Sequence, residues 1–314
     1  MADLTAQQIR EMQIKRYILG VDPILPDVAK LESRPFIYAM DTDTQNGVQL
    51  ASGQAANLQI QIDDGSYFLV EQIHIISGLK TVSMDKALVQ ITDTTTSRAW
   101  SDQPVPLRDI AGRGDAPKYL SDPNLLRPTS TLNVQITNNT GSSAAFYAAL
   151  IGRKIIGLSE AQANIMLRRL WFTYVMNLPS GLGASAVDTQ AQVKIYNESD
   201  FILKKLSAQQ MISAWAAASG GALSDEIMVM LRDTTADRNF MNQKLPLRLI
   251  AGQYAGAVTS VANSWAGGSP ETLKKPALIR RNGILAGFFD NKSTTAVTGP
   301  VNLTCEGIRV FDQA

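Results

Sequence analysis

One histidine, His74, and one cysteine, Cys305, bound the chemistry open to this chain. A Ser-His-Asp or Cys-His arrangement needs an imidazole base, and only His74 offers one. It stands in Glu71-Gln72-Ile73-His74-Ile75-Ile76, an alternating segment that reads as a strand. The corresponding place later in the chain holds Ser207, so His74 reads as a strand-surface or packed residue. A zinc site built from His pairs or cysteines needs more ligands than one of each, and a lone cysteine cannot form an intrachain disulfide. Cys305 lies in a predicted strand and reads as a small buried side chain.

Carboxylates come next. Asp41, Asp43 and the pair Asp63-Asp64 fall in predicted turns, where Asp is favoured because it bonds its own backbone. That reading outweighs paired acid/base chemistry. Calcium held by loop aspartates stays open, although no 12-residue EF-hand pattern occurs. Gly181-Leu182-Gly183 lacks the third glycine of a dinucleotide fingerprint, and no phosphate-binding GxxxxGK[ST] is present. Arg113-Gly114-Asp115 is the tripeptide of integrin ligands, but Gln253-Tyr254-Ala255 stands in the corresponding place. Arg98 and Arg238, and likewise Arg108 and Arg248, occupy matching positions near Asp93 and Asp233. An arginine fork suits a clamp on loop carbonyls or on the aspartate. The sequence therefore predicts no catalytic residue, no cofactor-binding residue and no metal ligand, hence no enzyme.

The arginine matches belong to an internal duplication. Asp93-Thr94-Thr95-Thr96-Ser97-Arg98 returns as Asp233-Thr234-Thr235-Ala236-Asp237-Arg238, and Pro106-Leu107-Arg108-Asp109-Ile110-Ala111-Gly112 as Pro246-Leu247-Arg248-Leu249-Ile250-Ala251-Gly252. Over the 20 positions from Asp93 to Gly112, 11 are identical at an offset of 140, where unrelated sequences would give roughly one. At an offset of 133, Ile60, Ile62 and Phe68 match Val193, Ile195 and Phe201. At 136, Phe36 to Met40 match Phe172 to Met176. Leu126-Arg127 matches Ile279-Arg280, and Gly152 matches Gly307. Drifting offsets are what loop insertions produce.

Alternation within each copy indicates strands. Leu58-Gln59-Ile60-Gln61-Ile62, Val193-Lys194-Ile195 and Leu132-Asn133-Val134-Gln135-Ile136-Thr137 are apolar at every second residue. Phe146–Ile156 is more continuously apolar, as a core strand would be. Asp-Asp-Gly, Asp-Thr-Thr and Asn-Asn-Thr-Gly turns separate these segments, which favours antiparallel sandwiches over a parallel α/β fold. The stretch from Asp93 to Leu125 alternates poorly and reads as a long excursion between sheets. Such excursions, and the missing Cys…Trp…Cys pattern, favour jelly rolls over immunoglobulin-like domains.

The predicted fold class is all-β: two tandem jelly-roll-like antiparallel sandwiches, each preceded by a short helix. The predicted organisation is a helix and extended arm over 1–35, a first sandwich over 36–157, a linking helix over 158–170 and a second sandwich over 171–314. Thr5-Ala6-Gln7-Gln8 and Ser159-Glu160-Ala161-Gln162 read as capping boxes. Each helix is expected to pack on its own sandwich or a neighbouring subunit. Pro23, Pro26 and Pro35 make the arm an extended strap. One more helix is expected at Ser207–Trp215, again from its capping pattern.

Totals narrow the partners. Basic residues number 29 and acidic 28, for a formal charge of +1, so the basic excess of a nucleic-acid binder is missing. The first residues lack the apolar stretch of a signal peptide, and no apolar run approaches a membrane span. Synthesis in a cytoplasm is expected.

A duplicated sandwich with long loops and helical lead-ins, from about Phe36 to Phe311, resembles the double jelly-roll capsid proteins of icosahedral viruses, including membrane-containing bacteriophages. The resemblance is one of plan, without a diagnostic motif, and the two copies here are more alike in sequence than that family's usually are. It implies a virion structural protein that self-assembles, most simply into pseudo-hexagonal trimers. Its partners would be copies of itself in a trimer or ring, other virion proteins and, in such phages, an internal membrane. A collar, decoration or vertex protein of a tailed phage is the nearest alternative, and a tandem carbohydrate-binding module the next. Aromatics at 7% suit the module poorly.

Overall fold

The computed structural model describes residues 5, 8, 11, 12, 14, 31–39, 47–77, 87–113, 116–139, 141–211, 226–251, 265–267, 271–297 and 300–312. The first copy runs β1 (Glu32–Ala39), β2 (Val48–Leu50), β3 (Ala55–Gln61), β4 (Tyr67–Ser77), β5 (Ala87–Asp93), β6 (Arg98–Ala99), β7 (Val105–Pro106), α1 (Leu107–Ala111), β8 (Gly112–Arg113), β9 (Ala116–Leu126), β10 (Thr131–Asn138) and β11 (Ala144–Ile156). One sheet has the order β1-β11-β4-β9-β8, with β2 also on β11; the other has β3-β10-β5-β6, with β7 also on β5. The chain thus alternates between sheets, and its first long strand lies beside its last. That wiring is a jelly roll.

After α2 (Glu160–Leu167) the plan repeats. The second copy comprises β12 (Arg169–Leu178), β13 (Thr189–Lys194), β14 (Ser199–Met211), β15 (Ile227–Asp233), β16 (Arg238–Asn239), β17 (Leu245–Pro246), α3 (Leu247–Ala251), β18 (Trp265–Gly267), β19 (Glu271–Ile279), β20 (Ile284–Asn291) and β21 (Val301–Phe311). Its sheets are β12-β21-β14-β18, with β19 also on β14, and β13-β20-β15-β16, with β17 also on β15. By compactness the chain divides into Met1–Phe172 with Ile308–Ala314, and Thr173–Gly307. The division therefore falls inside β12 and β21.

Alternation drives the pairing. β5 and β15 bury every second residue completely and the residues between them partly, which places one face of each on a core. The first core is filled by Phe68, Phe146, Ile73, Ile91 and Trp100, and the second by Tyr174, Phe201 and Phe289, all fully buried. β11 also alternates, whereas β21 is buried along its whole length.

Several expectations change. Ser207–Met211 is not helical but the end of β14, where Gln209, Gln210 and Met211 pair with Gly267, Ala266 and Trp265. Ladder hydrogen bonds and the burial of Ser207 and Ala208 outweigh the local capping preference. Trp215 lies outside the described residues. The stretch from Asp93 to Leu125 is more regular than expected, because β9 pairs with β4 over Phe68–Ile73. The linking helix stops at Leu167 with Arg168 as its C-cap, and strand begins at Arg169. Its Ser159–Gln162 capping box is present. In the first lead-in, Gln8, Glu11, Met12 and Ile14 are helical, and Thr5 Oγ1 accepts from Gln8 N. The arm before Leu31 lies outside the described residues.

Candidate functional site

The repeated Asp-Thr-Thr loop is the chain's strongest sequence signal, and its geometry explains the repetition. Asp93 Oδ1 accepts from Thr95 N at 2.9 Å and Thr96 N at 3.3 Å, and its Oδ2 from Thr96 Oγ1 at 2.8 Å. Asp233 Oδ1 accepts from Ala236 N at 3.1 Å. Each aspartate closes its own turn, and the turns pass through left-handed Ser97 and Asp237, at φ 57° and 50°. The threonines then fasten the loop to the next long strand. Thr94 N donates to Thr131 O, and Thr131 N to Thr95 Oγ1. Thr234 N donates to Ile284 O, and Ile284 N to Thr235 Oγ1. Each aspartate and threonine retained here makes at least one bond to, or from, the backbone.

The arginines diverge. Arg238 Nη2 donates to Leu278 O at 2.7 Å and lies 3.4 Å from Asp233 Oδ2. Arg98 Nη1 instead donates to Leu167 O at 3.0 Å, at the end of α2, and its guanidinium lies 4.0 Å from the Phe311 ring centre. A cation at a helix C-terminus is favourable, so Arg98 holds the linking helix to the first copy. The side chains of Arg108 and Arg248 lie outside the described residues.

Other equivalences run through the two cores. Tyr38 Oη accepts from Asp63 N, and Tyr174 Oη from Tyr196 N, each at 3.2 Å. Both rings stand edge-on to a phenylalanine, Tyr38 to Phe68 at 4.7 Å and Tyr174 to Phe201 at 4.9 Å. Lys154 lies over Phe36 as Arg309 lies over Phe172. Gly152 and Gly307 meet the carbonyls of Leu69 and Ile202, residues 133 apart, so closely that a Cβ would come within 1.9 and 2.0 Å of the oxygens. Sequence reading missed Asn138 and Asn291. Asn138 Nδ2 donates to Leu50 O and Ser142 O, and Asn291 Nδ2 to Gly183 O and Thr295 O. The offset of 153 that joins Leu126 to Ile279 also joins these two.

The remaining candidates fall apart spatially. His74 sits in β4 opposite Ala149 of β11. Cys305 is buried in β21. Asp63 pairs with Lys154, whose ammonium is the main influence holding that carboxyl below the usual range. Gly181 closes a turn onto Leu178 O, and Leu182 bridges Val297. Arg113 ends the short β8, while Asp41, Asp43, Gly114 and Asp115 lie outside the described residues. Among the described residues no three His, Cys, Asp or Glu side chains gather as metal ligands, and no helix is long and apolar enough to cross a membrane.

Two charged clusters had no sequence signal. In the first unit, buried Arg169 forms a two-oxygen pair with Asp122. In the second, Lys244 bridges Asp188 and Asp290, and Lys292 reaches Asp290 at 2.9 Å. Burial alone would raise the Asp290 pKa, but Lys244, the Asp188 N–H and Lys292 together bring it down to about 2. Each carboxylate is already matched by a cation, the opposite of an acid poised near neutrality.

The fold therefore defines the class first: a tandem jelly roll whose retained residues maintain the jelly rolls themselves. Solved structures similar to the chain include double jelly-roll major capsid proteins. The STIV MCP matches at TM-score 0.44 and 9% identity, covering 88% of this chain and 97% of that one. The major capsid protein P2 of bacteriophage PM2 matches at TM-score 0.40 and 10% identity, covering 88% and 98%. PNGase F, a glycosylasparaginase of Flavobacterium meningosepticum, matches at TM-score 0.38 and 11% identity, covering 88% and 96%. No family model matches the chain, and no curated protein does. A likeness of this degree, shared by shell proteins and a hydrolase, leaves function to be argued from the chain itself.

Proposed function

We propose that this chain is a structural subunit of a virion, a double jelly-roll capsid protein that assembles with copies of itself. One observation carries the proposal: the kept Asp-Thr-Thr loops close turns and clamp strands, and the kept glycines admit a close backbone contact. Among the described residues, no shared side chains gather as metal ligands. Duplication has preserved a shape, and a repeated shape is what a shell tile needs. Two similar domains in one subunit let three subunits present six similar edges. The near-neutral charge of +1 lowers repulsion between like copies, and it argues against direct packaging contacts with nucleic acid.

The same features suit a collar, decoration or vertex protein of a tailed phage, which would form rings in place of trimeric tiles. A carbohydrate-binding module is less well supported. Of the exposed aromatics among the described residues, Phe36, Tyr119 and Tyr196, Phe36 has one ring face covered by the Lys154 ammonium at 3.5 Å. The test is the mass of the purified full chain by multi-angle light scattering across a concentration series. Trimers or larger closed assemblies are expected. A monomer at every concentration, with retention on a glycan array, would replace the shell reading with the binding module.

A further inference from the structure

The first copy contains a small cavity whose walls carry two buried polar donors. Its volume is about 20 Å³, and Asp93, Arg98, Trp100, Asn124, Leu167 and Leu170 are among its walls. Trp100 is fully buried and Asn124 nearly so. Trp100 Nε1 and Asn124 Nδ2 have no hydrogen-bond acceptor among the described residues. The orientation of the asparagine amide is fixed from outside the cavity, because its Oδ1 accepts from Trp171 N at 2.7 Å. Its Nδ2 is therefore a committed donor. Two buried N–H donors without a protein acceptor, on residues that line one cavity, are costly, and a shared acceptor would remove that cost.

The duplication supplies an internal control. Trp100 N donates to Ile91 O, and Phe240 N to Leu231 O, so Phe240 is the counterpart of Trp100. Asn124 pairs with Val70 of β4, and Ala277 with Leu203 of β14, so Ala277 is the counterpart of Asn124. Both donors are replaced by apolar residues together in the second copy. A chance orphaned donor would have no reason to vary with a second one.

We propose that this cavity is a binding site for a single structural water, which accepts from Trp100 Nε1–H and Asn124 Nδ2–H and donates to the Asp93 carboxylate. The volume suits one water, which needs about 10–15 Å³. Asp93 takes three internal hydrogen bonds, and a carboxylate offers about four acceptor positions. Its negative charge opposes an anion, although Arg98 and Arg169 also line the cavity, Arg169 being paired with Asp122. The water ties the Asp93 loop and Trp100 to Asn124 of β9, with Leu167 and Leu170 as apolar walls.

The test is a high-resolution crystal structure of the full chain, from crystals soaked in sodium bromide and measured at the bromine edge, beside the Trp100→Phe variant. The expected result is one peak within about 3.2 Å of both nitrogens, with no anomalous signal. It disappears in W100F, which imports the second copy's residue. An anomalous bromide peak would replace the water with an anion site, and no peak in the unsubstituted chain would overturn the proposal. In solution, the Trp100 indole N–H should show cross-relaxation with a long-lived water. Its absence in a folded sample would also overturn it.

Discussion

Replacing Gly152 or Gly307 with alanine should damage the two jelly rolls to the same degree. At each glycine an added Cβ falls on a carbonyl oxygen of the neighbouring strand, at 1.9 Å from Leu69 O and 2.0 Å from Ile202 O. Relief to an ordinary contact, which begins at 3.4 Å, needs a shift of about 1.5 Å. Both obstacles are backbone atoms, so no rotamer change helps. β11 and β4 also change register between Ile151 and Gly152, and a glycine at a bulge commonly admits a close backbone. Overpacking of this kind costs about 3 kcal/mol, the upper end of the usual range, or roughly 6–12 °C in midpoint for a domain of this size. Gly65 is the control, since nothing lies within 4 Å of its added Cβ. Urea denaturation of G152A, G307A and G65A, with amide exchange read separately over β4 and β14, measures the effect. A cost below about 0.5 kcal/mol at either glycine, or a large one at only one of them, would refute the equivalence of the copies.

Two other perturbations report on the charged clusters. The depressed Asp290 pKa, from 3.8 to about 2, means that its stabilisation is complete above about pH 4 and lost as pH falls toward 2. The contribution is about 2 kcal/mol, so stability measured from pH 2 to 6 should fall less steeply in D290N, and an unchanged slope would contradict the assignment. Asp122→Ala should cost about 3–5 kcal/mol, because it strands the buried Arg169 charge. Adding Arg169→Met should recover most of that loss in chemical denaturation, and no recovery would show that the ion pair is not the cause.

The duplication was legible because the loops that close it spend their side chains on backbone hydrogen bonds. Asp93, Thr94 and Thr95 cannot change without undoing a turn and a strand clamp, so they stay recognisable 140 residues later. Tyr38 with Phe68 and Tyr174 with Phe201 persisted for a similar reason, as core pairs whose shape is specified. Ser207–Met211 was misread because a capping pattern is local, while the β18 partner that makes the segment a strand lies more than 50 residues away. Asn138 and Asn291 hid in turn-rich sequence, where asparagine is expected without any second partner. Trp100 and Asn124 had no sequence signal at all, since only the fold brings them to one cavity. Arg98 and Arg238 are identical in sequence yet bond to different carbonyls, because only the first meets the linking helix.

The central claim is that a duplicated jelly roll serves as a self-assembling tile, and electron microscopy of the purified full chain tests it most directly. Class averages are predicted to show trimers with a six-sided outline, alone or joined into sheets or shells. Isolated monomers at concentrations well above those in the infected cell would contradict the account.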